Sequence, residues 1–359
     1  MFRTLLLLVS IFSTACVAAH DDLKLTRHVQ EVGSVNVMVD PRLELLSVVQ
    51  LLNKYFLITS YEQKYKHDAI NYFKKYQNHE AVKYFKVLSD KGFKFNYPAE
   101  SVLYLNYDLT INNNLQAPNS IIPEGISKED ILKFYTLLRM FAKDSNFLNF
   151  YQSKSNYYKE LVKSTASMIT GVSDVKRLEL FYGKSNTSYN IVLVSLFHHG
   201  GFGPEVSTPQ GKELFSLMGP SSSDNGVAYF GDKERLAELI NHEFSHSFIK
   251  QTFAENDRKI KEYEYLLAPI AEDMRKQGYS TWDICLNEHI VRAVTTYISF
   301  QKSEHLGNQN LNFQKDRKYI YIEYILEHFE RYQANRKQYP TFDSYFPEIL
   351  KSLNEISSG

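Results

Sequence analysis

Two histidines four residues apart, His242 and His246, with Glu243 between them, are the residues here whose types and spacing can do chemistry. On a helix, positions i and i+4 project from nearly one face, a turn apart. Two imidazoles so placed converge on one divalent ion, at the roughly 2.0–2.1 Å of zinc–nitrogen bonds. Glu243 is rotated by roughly 100° from His242 but stands three positions before His246, so its carboxylate flanks the ion without having to ligate it. That position suits a base acting on water at the metal. Background frequencies put a chance match to this pattern at about one in a hundred for a chain of this length. Ile240, Phe244 and Ser245 are uncharged and Phe248 is apolar, so no other charge competes inside the motif and the helix can be buried. The bland alternative is an amphipathic helix with partly exposed, idle histidines. A buried imidazole pair, however, needs polar partners, and a metal supplies one.

An open catalytic site needs a third protein ligand. Ile249 and Thr252 stand where an extended motif would place its Gly and its third His, which excludes a metzincin. Downstream, Glu288 lies in a second helical pattern that begins at Asp283, and Ile284, Cys285 and Val291 share its broad side of the wheel. Glu288 is therefore expected to point inward, where a carboxylate needs a cation. The competing reading is a Glu288–Arg292 pair on a solvated face. His289, Glu272 and Glu264 are weaker rivals, lacking the same apolar neighbourhood.

The His-Glu-Phe-Ser-His run and Asn287-Glu288 on the next helix resemble the gluzincin branch of zinc metallopeptidases. More closely, residues 35–345 resemble an uncharacterised family of exported bacterial gluzincin-like proteins. The likeness rests on Pro41-Arg42-Leu43-Glu44-Leu45, the metal helix, residues 282–293 and Tyr339-Pro340-Thr341-Phe342. It implies zinc held by His242, His246 and Glu288, with Glu243 as general base, and a peptide or protein as substrate. Gluzincins also use a Tyr or His to stabilise the oxyanion. Tyr297 falls on the wrong side of its helix, which leaves His198, His199, Tyr229 and Tyr321. An edge strand beside the metal helix is expected to pair with extended substrate; residues 190–197 or 227–230 are candidates, and the Gly200–Gly203 loop is a candidate cover for the cleft.

The elements that must position these residues follow from periodicity. Val35, Val37 and Val39 alternate as in a strand, and residues 41–90 turn helical. Ser127 with Asp130 marks a helix start, as does Asp232 before a helix over 233–251. Residues 178–182, 190–197 and 227–230 read as strands. The expected fold is α+β and mainly helical: a zincin-like core with a small mixed or antiparallel sheet packed on the active-site helix. A helical N-terminal region over 20–170 precedes a catalytic region over 171–359, or one continuous domain covers 34–350.

The 359 residues carry 41 Lys plus Arg against 41 Asp plus Glu, a formal net charge of zero. No field therefore favours nucleic acid or an anionic membrane. Residues 1–19 combine Arg3, an apolar run and small residues near Ala19, as an export signal does. The protein is thus expected to be secreted or periplasmic. Cys16, in a loose lipobox, opens a second route to the surface by lipid attachment. With Cys285 the other cysteine, no internal disulfide forms in the processed chain, and Cys285 itself reads as buried filler. The expected function is an exported zinc-dependent metallohydrolase, a peptidase before any other kind. The alternative is a catalytically silent, zinc-stabilised binding or scaffold protein of the cell surface.

Overall fold

The computed structural model describes residues 23–115, 117–169 and 172–356. The export signal and Cys16 lie outside them. The chain is α+β and mainly helical, around one mixed sheet. The hairpin β1 (His28–Val32) and β2 (Val35–Val39) opens it, turning at Gly33, whose φ of +61° favours glycine. Helices α1 (Pro41–Asn53), α2 (Lys64–Phe73), α3 (Glu80–Asp90), α4 (Asn96–Val102), α5 (Lys128–Asp144), α6 (Phe147–Ser153), α7 (Ser155–Met168) and α8 (Val172–Tyr182) follow. Next come β3 (Ser188–Leu193), β4 (Gly201–Phe202), β5 (Glu205–Thr208) and β6 (Gly211–Met218), then a separate hairpin of β7 (Ser222–Asp224) and β8 (Val227–Tyr229). Helices α9 (Lys233–Lys261), α10 (Ala271–Lys276), α11 (Trp282–Lys302), α12 (Glu304–Asp316), α13 (Ile322–Ala334) and α14 (Phe342–Ile356) complete the fold.

The sheet order is β1-β2-β3-β6-β4, with β5 also pairing β6. Strands β2, β3 and β6 run parallel; β1, β4 and β5 run antiparallel to their neighbours. Strands from the first forty residues therefore lie in one sheet with strands from the region before α9. Val37, Val39, Ile191, Val192 and Leu217 are fully buried, as expected of strands covered on both faces.

Three sequence expectations are corrected. Residues 178–182 end α8 and form no strand: Leu178, Phe181 and Tyr182 are buried at helical spacing while Leu180 is 63 % exposed. The strand expected over 190–197 ends at Leu193 and is interior, paired on both sides, so it offers no edge to substrate. The Gly200–Gly203 segment includes β4, at the end of the sheet, rather than a covering loop. Ser127 caps α5 in a full capping box with Asp130, and Asp232 caps α9 through the Arg235 amide, as their spacing indicates. Helix α9 extends ten residues beyond the expected end, to Lys261.

Among the described residues, one buried carboxyl outside the metal motif has no ion-pair partner. Glu44 on α1 is fully buried; Tyr65 and Tyr158 donate to its Oε2, and its Oε1 has no hydrogen bond. Burial pushes its pKa up from 4.5 to about 7. The folded protein thus holds this proton more tightly than the unfolded chain. The contribution to stability is full below about 4.5, falls as pH rises toward 7 and is level above. Glu44→Gln should raise stability at pH 8 relative to wild type, by up to ~3 kcal/mol, and little at pH 4.5; urea denaturation at the two pH values measures the difference.

Candidate metal centre

Helix α9 is pinned by its apolar side. Phe248 stacks on Tyr182 of α8 with ring centroids 4.6 Å apart, and Phe244 meets Tyr189 of β3 edge-on at 5.3 Å. The helix packs against β6 and β4 on one side and α11 on another. This orientation turns His242 and His246 toward α11, where Glu288 faces them. Ligand atoms of His242, His246 and Glu288 all lie within 4.8 Å of one another, and among the described residues they are the group able to hold a metal.

The spacing is finer than that limit. The two Nε2 atoms are 3.2 Å apart. Glu288 Oε2 is 3.7 Å from the His242 Nε2, and its Oε1 is 3.5 Å from the His246 Nε2. Tetrahedral zinc with bonds of about 2.0–2.1 Å has ligand–ligand edges of roughly 3.3–3.4 Å, so the three donors stand close to the corners of such a site. The tautomer agrees. Asn287 Oδ1 accepts from His246 Nδ1 at 2.8 Å, which puts a proton on Nδ1 and leaves Nε2 to face His242. Burial, with the Arg292 charge second, holds the His242 imidazole well below its usual value, which favours its neutral, metal-binding form. Two imidazole nitrogens and a carboxylate converging at this distance suit a cation between them. The donor set fits zinc.

Glu243 is buried beside this group, and no protein donor among the described residues hydrogen-bonds its carboxylate. Burial and then Glu288 push its pKa up to about 8, against the pull of Arg292 and Arg235. Strand β4 comes close enough that a Cβ on Gly201 would lie 2.9 Å from Glu243 Oε1, and one on Gly203 would overlap the Glu243 carbonyl. Glycine is what allows an unpaired strand edge to lie beside that carboxylate. Ser247 donates to the Gly203 carbonyl at 2.9 Å and fixes the approach.

Arg292 resolves the two readings of Glu288 into one. The Glu288–Arg292 ion pair exists, at 3.1 Å, but it is buried, not solvated. Glu288 therefore faces both the histidines and the guanidinium. Its expected neighbour Ile284 is corrected: it is 44 % exposed, a turn before Glu288. Arg292 also donates to Gln314 at 3.2 Å and to Tyr279 at 3.4 Å, and lies over the Tyr319 ring. Sequence reasoning assigns no role to Asn287, Tyr279 or Tyr319. Adjacency to Glu288 is the only signal for Asn287; the two tyrosines carry none.

The weaker candidates fall elsewhere. His289 is fully buried and donates to the Cys285 carbonyl at 2.8 Å, between Tyr319 and Tyr321. Glu272 pairs with Arg275 on the surface, and Glu264 is exposed. Tyr321 donates to the Leu266 carbonyl at 2.6 Å, Tyr229 sits on the β7–β8 hairpin, and Tyr297 packs on Phe181 and Phe329. His198 and His199 precede β4; burial pushes His198 down to about 4. None of the four proposed oxyanion partners hydrogen-bonds to the His242–His246–Glu288 group among the described residues. Cys285 is fully buried, its thiol pushed up to about 12 by burial, as filler should be.

The chain belongs to a family described as a domain of unknown function (DUF4932), whose match covers residues 35–352. No curated protein and no solved structure matches it.

Asn287→Ala frees the His246 ring and its tautomer. Zinc affinity should fall about 10–100-fold while the thermal transition of the metal-free protein moves little; competition against a chromophoric chelator measures it, and an unchanged affinity contradicts the orienting role.

Proposed function

We propose that this member of the DUF4932 family is a zinc-dependent metallohydrolase, and a peptidase before any other kind, built on a zincin-like core. The observation that carries this reading is the convergence of His242, His246 and Glu288 at tetrahedral spacing, with the Glu243 carboxylate buried beside them and free of protein donors. His242, His246 and Glu288 would hold the ion. Zinc in such a site supplies a Lewis acid and brings a water to near-neutral acidity.

The chain's own residues do the rest. The Glu243 carboxylate, whose buried surroundings raise its affinity for a proton, takes one from the attacking water and passes it to the leaving nitrogen. Asn287 holds the His246 ring, and Arg292 holds the second oxygen of Glu288. The outer edge of β4 offers backbone groups to an extended peptide, within reach of Glu243. That edge supports a peptide over a small ester or amide. A purely structural zinc would favour four protein ligands and need no such carboxylate. The pattern of residues 1–19 supports work outside the cytoplasm, soluble or lipid-anchored at Cys16.

Glu243→Gln should keep zinc at the wild-type level while cleavage of a peptide library falls at least ~10³-fold. Unchanged turnover in that variant contradicts Glu243 as the base. Zinc retained by the wild type with no cleavage of any peptide favours the silent scaffold.

A further inference from the structure

Beside the metal centre stands a guanidinium that the mechanism above does not use. Arg317 follows α12, and among the described residues it has no carboxylate within ion-pair distance. It is nonetheless held firmly. Its Nε and Nη2 donate to Gln277 Oε1 at 3.1 and 2.9 Å, and Gln277 Nε2 returns a bond to the Arg317 carbonyl at 2.9 Å. Tyr319 donates to the same Gln277 oxygen at 3.3 Å. The guanidinium lies over the Phe313 ring at 5.6 Å and the Tyr319 ring at 5.8 Å.

Tyr319 links this cation to the metal centre, because Arg292 lies over the same ring at 4.5 Å. The two arginines differ in one respect. Arg292 is neutralised by Glu288 at 3.1 Å, whereas Arg317 is bonded only to a neutral amide and remains half-exposed. One aromatic ring thus bridges Arg317 and the arginine that pairs with Glu288. A pre-oriented cation without a counter-charge, next to a reactive centre, is complementary to an anion brought by a ligand.

We propose that Arg317, on its Gln277–Tyr319 platform, forms a carboxylate-binding subsite, so that the preferred substrates are peptides carrying a carboxylate near the cleaved bond. The carboxylate comes either from the peptide's C-terminus or from an acidic side chain. This rests on the peptidase reading for the word substrate, and not for the binding itself. A cation at the end of α12 also offsets that helix's dipole, but that role is indifferent to any ligand.

The test uses the zinc-loaded, full-length Glu243→Gln protein and three labelled hexapeptides of otherwise neutral residues. One has a free C-terminus, one is its amide, and one is the amide with a single internal glutamate. Fluorescence anisotropy should give ~10–100-fold tighter binding for one of the two acidic peptides than for the neutral amide, and which one gains identifies the source. Arg317→Met in the same background should abolish the preference, and Arg317→Lys should restore part of it. Equal affinity for all three peptides overturns the subsite, as does a preference that survives Arg317→Met. The three-peptide comparison needs no change at Arg317, so it tests the subsite even if Arg317→Met folds poorly. Turnover by the Glu243 protein separates the two claims. An Arg317-dependent preference without cleavage of any peptide removes the peptidase reading and keeps the subsite; cleavage without preference does the reverse.

Discussion

The arrangement depends on one electrostatic problem at the crossing of α9 and α11. Two imidazoles meet through their Nε2 atoms 3.2 Å apart, with Glu288 facing both. Glu243 adds a second buried carboxyl whose proton is held more tightly because of its burial and then because Glu288 is near. Groups of this kind, in so little water, are costly to assemble without positive charge. Arg292 supplies one unit, fixed by Gln314, Tyr279 and the Tyr319 face. In the function we propose, a divalent ion would supply the remainder, and His242, His246 and Glu288 are the group placed to hold it.

The surrounding fold follows from holding that crossing still. The aromatic contacts of Phe244 and Phe248 fix how α9 is rotated about its axis, which decides where His242 and His246 point. The sheet below α9 is completed by β1 and β2 from the start of the chain, so the N-terminal strands support the same platform as the strands beside the site. At its far end, glycines at 201 and 203 bring β4 against Glu243. The proposed binding edge, base and two of the three ligands thus come from β4 and α9, and α11 adds the third ligand. Among the described residues, no helix is long and apolar enough to cross a membrane.

Much of the candidate site was legible because its chemistry is local. The spacing of His242, Glu243 and His246 and the Asp232 cap are contained within fifteen residues, and helical geometry alone places them. Glu288 was legible through its apolar neighbours, although one of them, Ile284, is exposed and Arg292 pairs with the same carboxylate indoors. The sheet was less legible. A five-residue, largely apolar stretch such as 178–182 fits a strand or a helix end equally well, and tertiary burial of Leu178, Phe181 and Tyr182 decided it. Strand β6 went unread even though Leu214, Phe215, Leu217 and Met218 are buried and Pro209-Gln210-Gly211 marks the turn before it. Its pairing with β3 is a long-range event, and no local pattern fixes which strand is central and which is the edge. Tyr279, Gln314, Arg317 and Tyr319 reach the centre through packing alone.

Zinc per chain, by elemental analysis of purified wild-type and Glu288→Ala proteins side by side, tests the central claim most directly. About one zinc in the wild type and much less in the variant is the expected result. No zinc in the wild type after reconstitution contradicts the metal centre, and full zinc in both contradicts Glu288 as its third ligand.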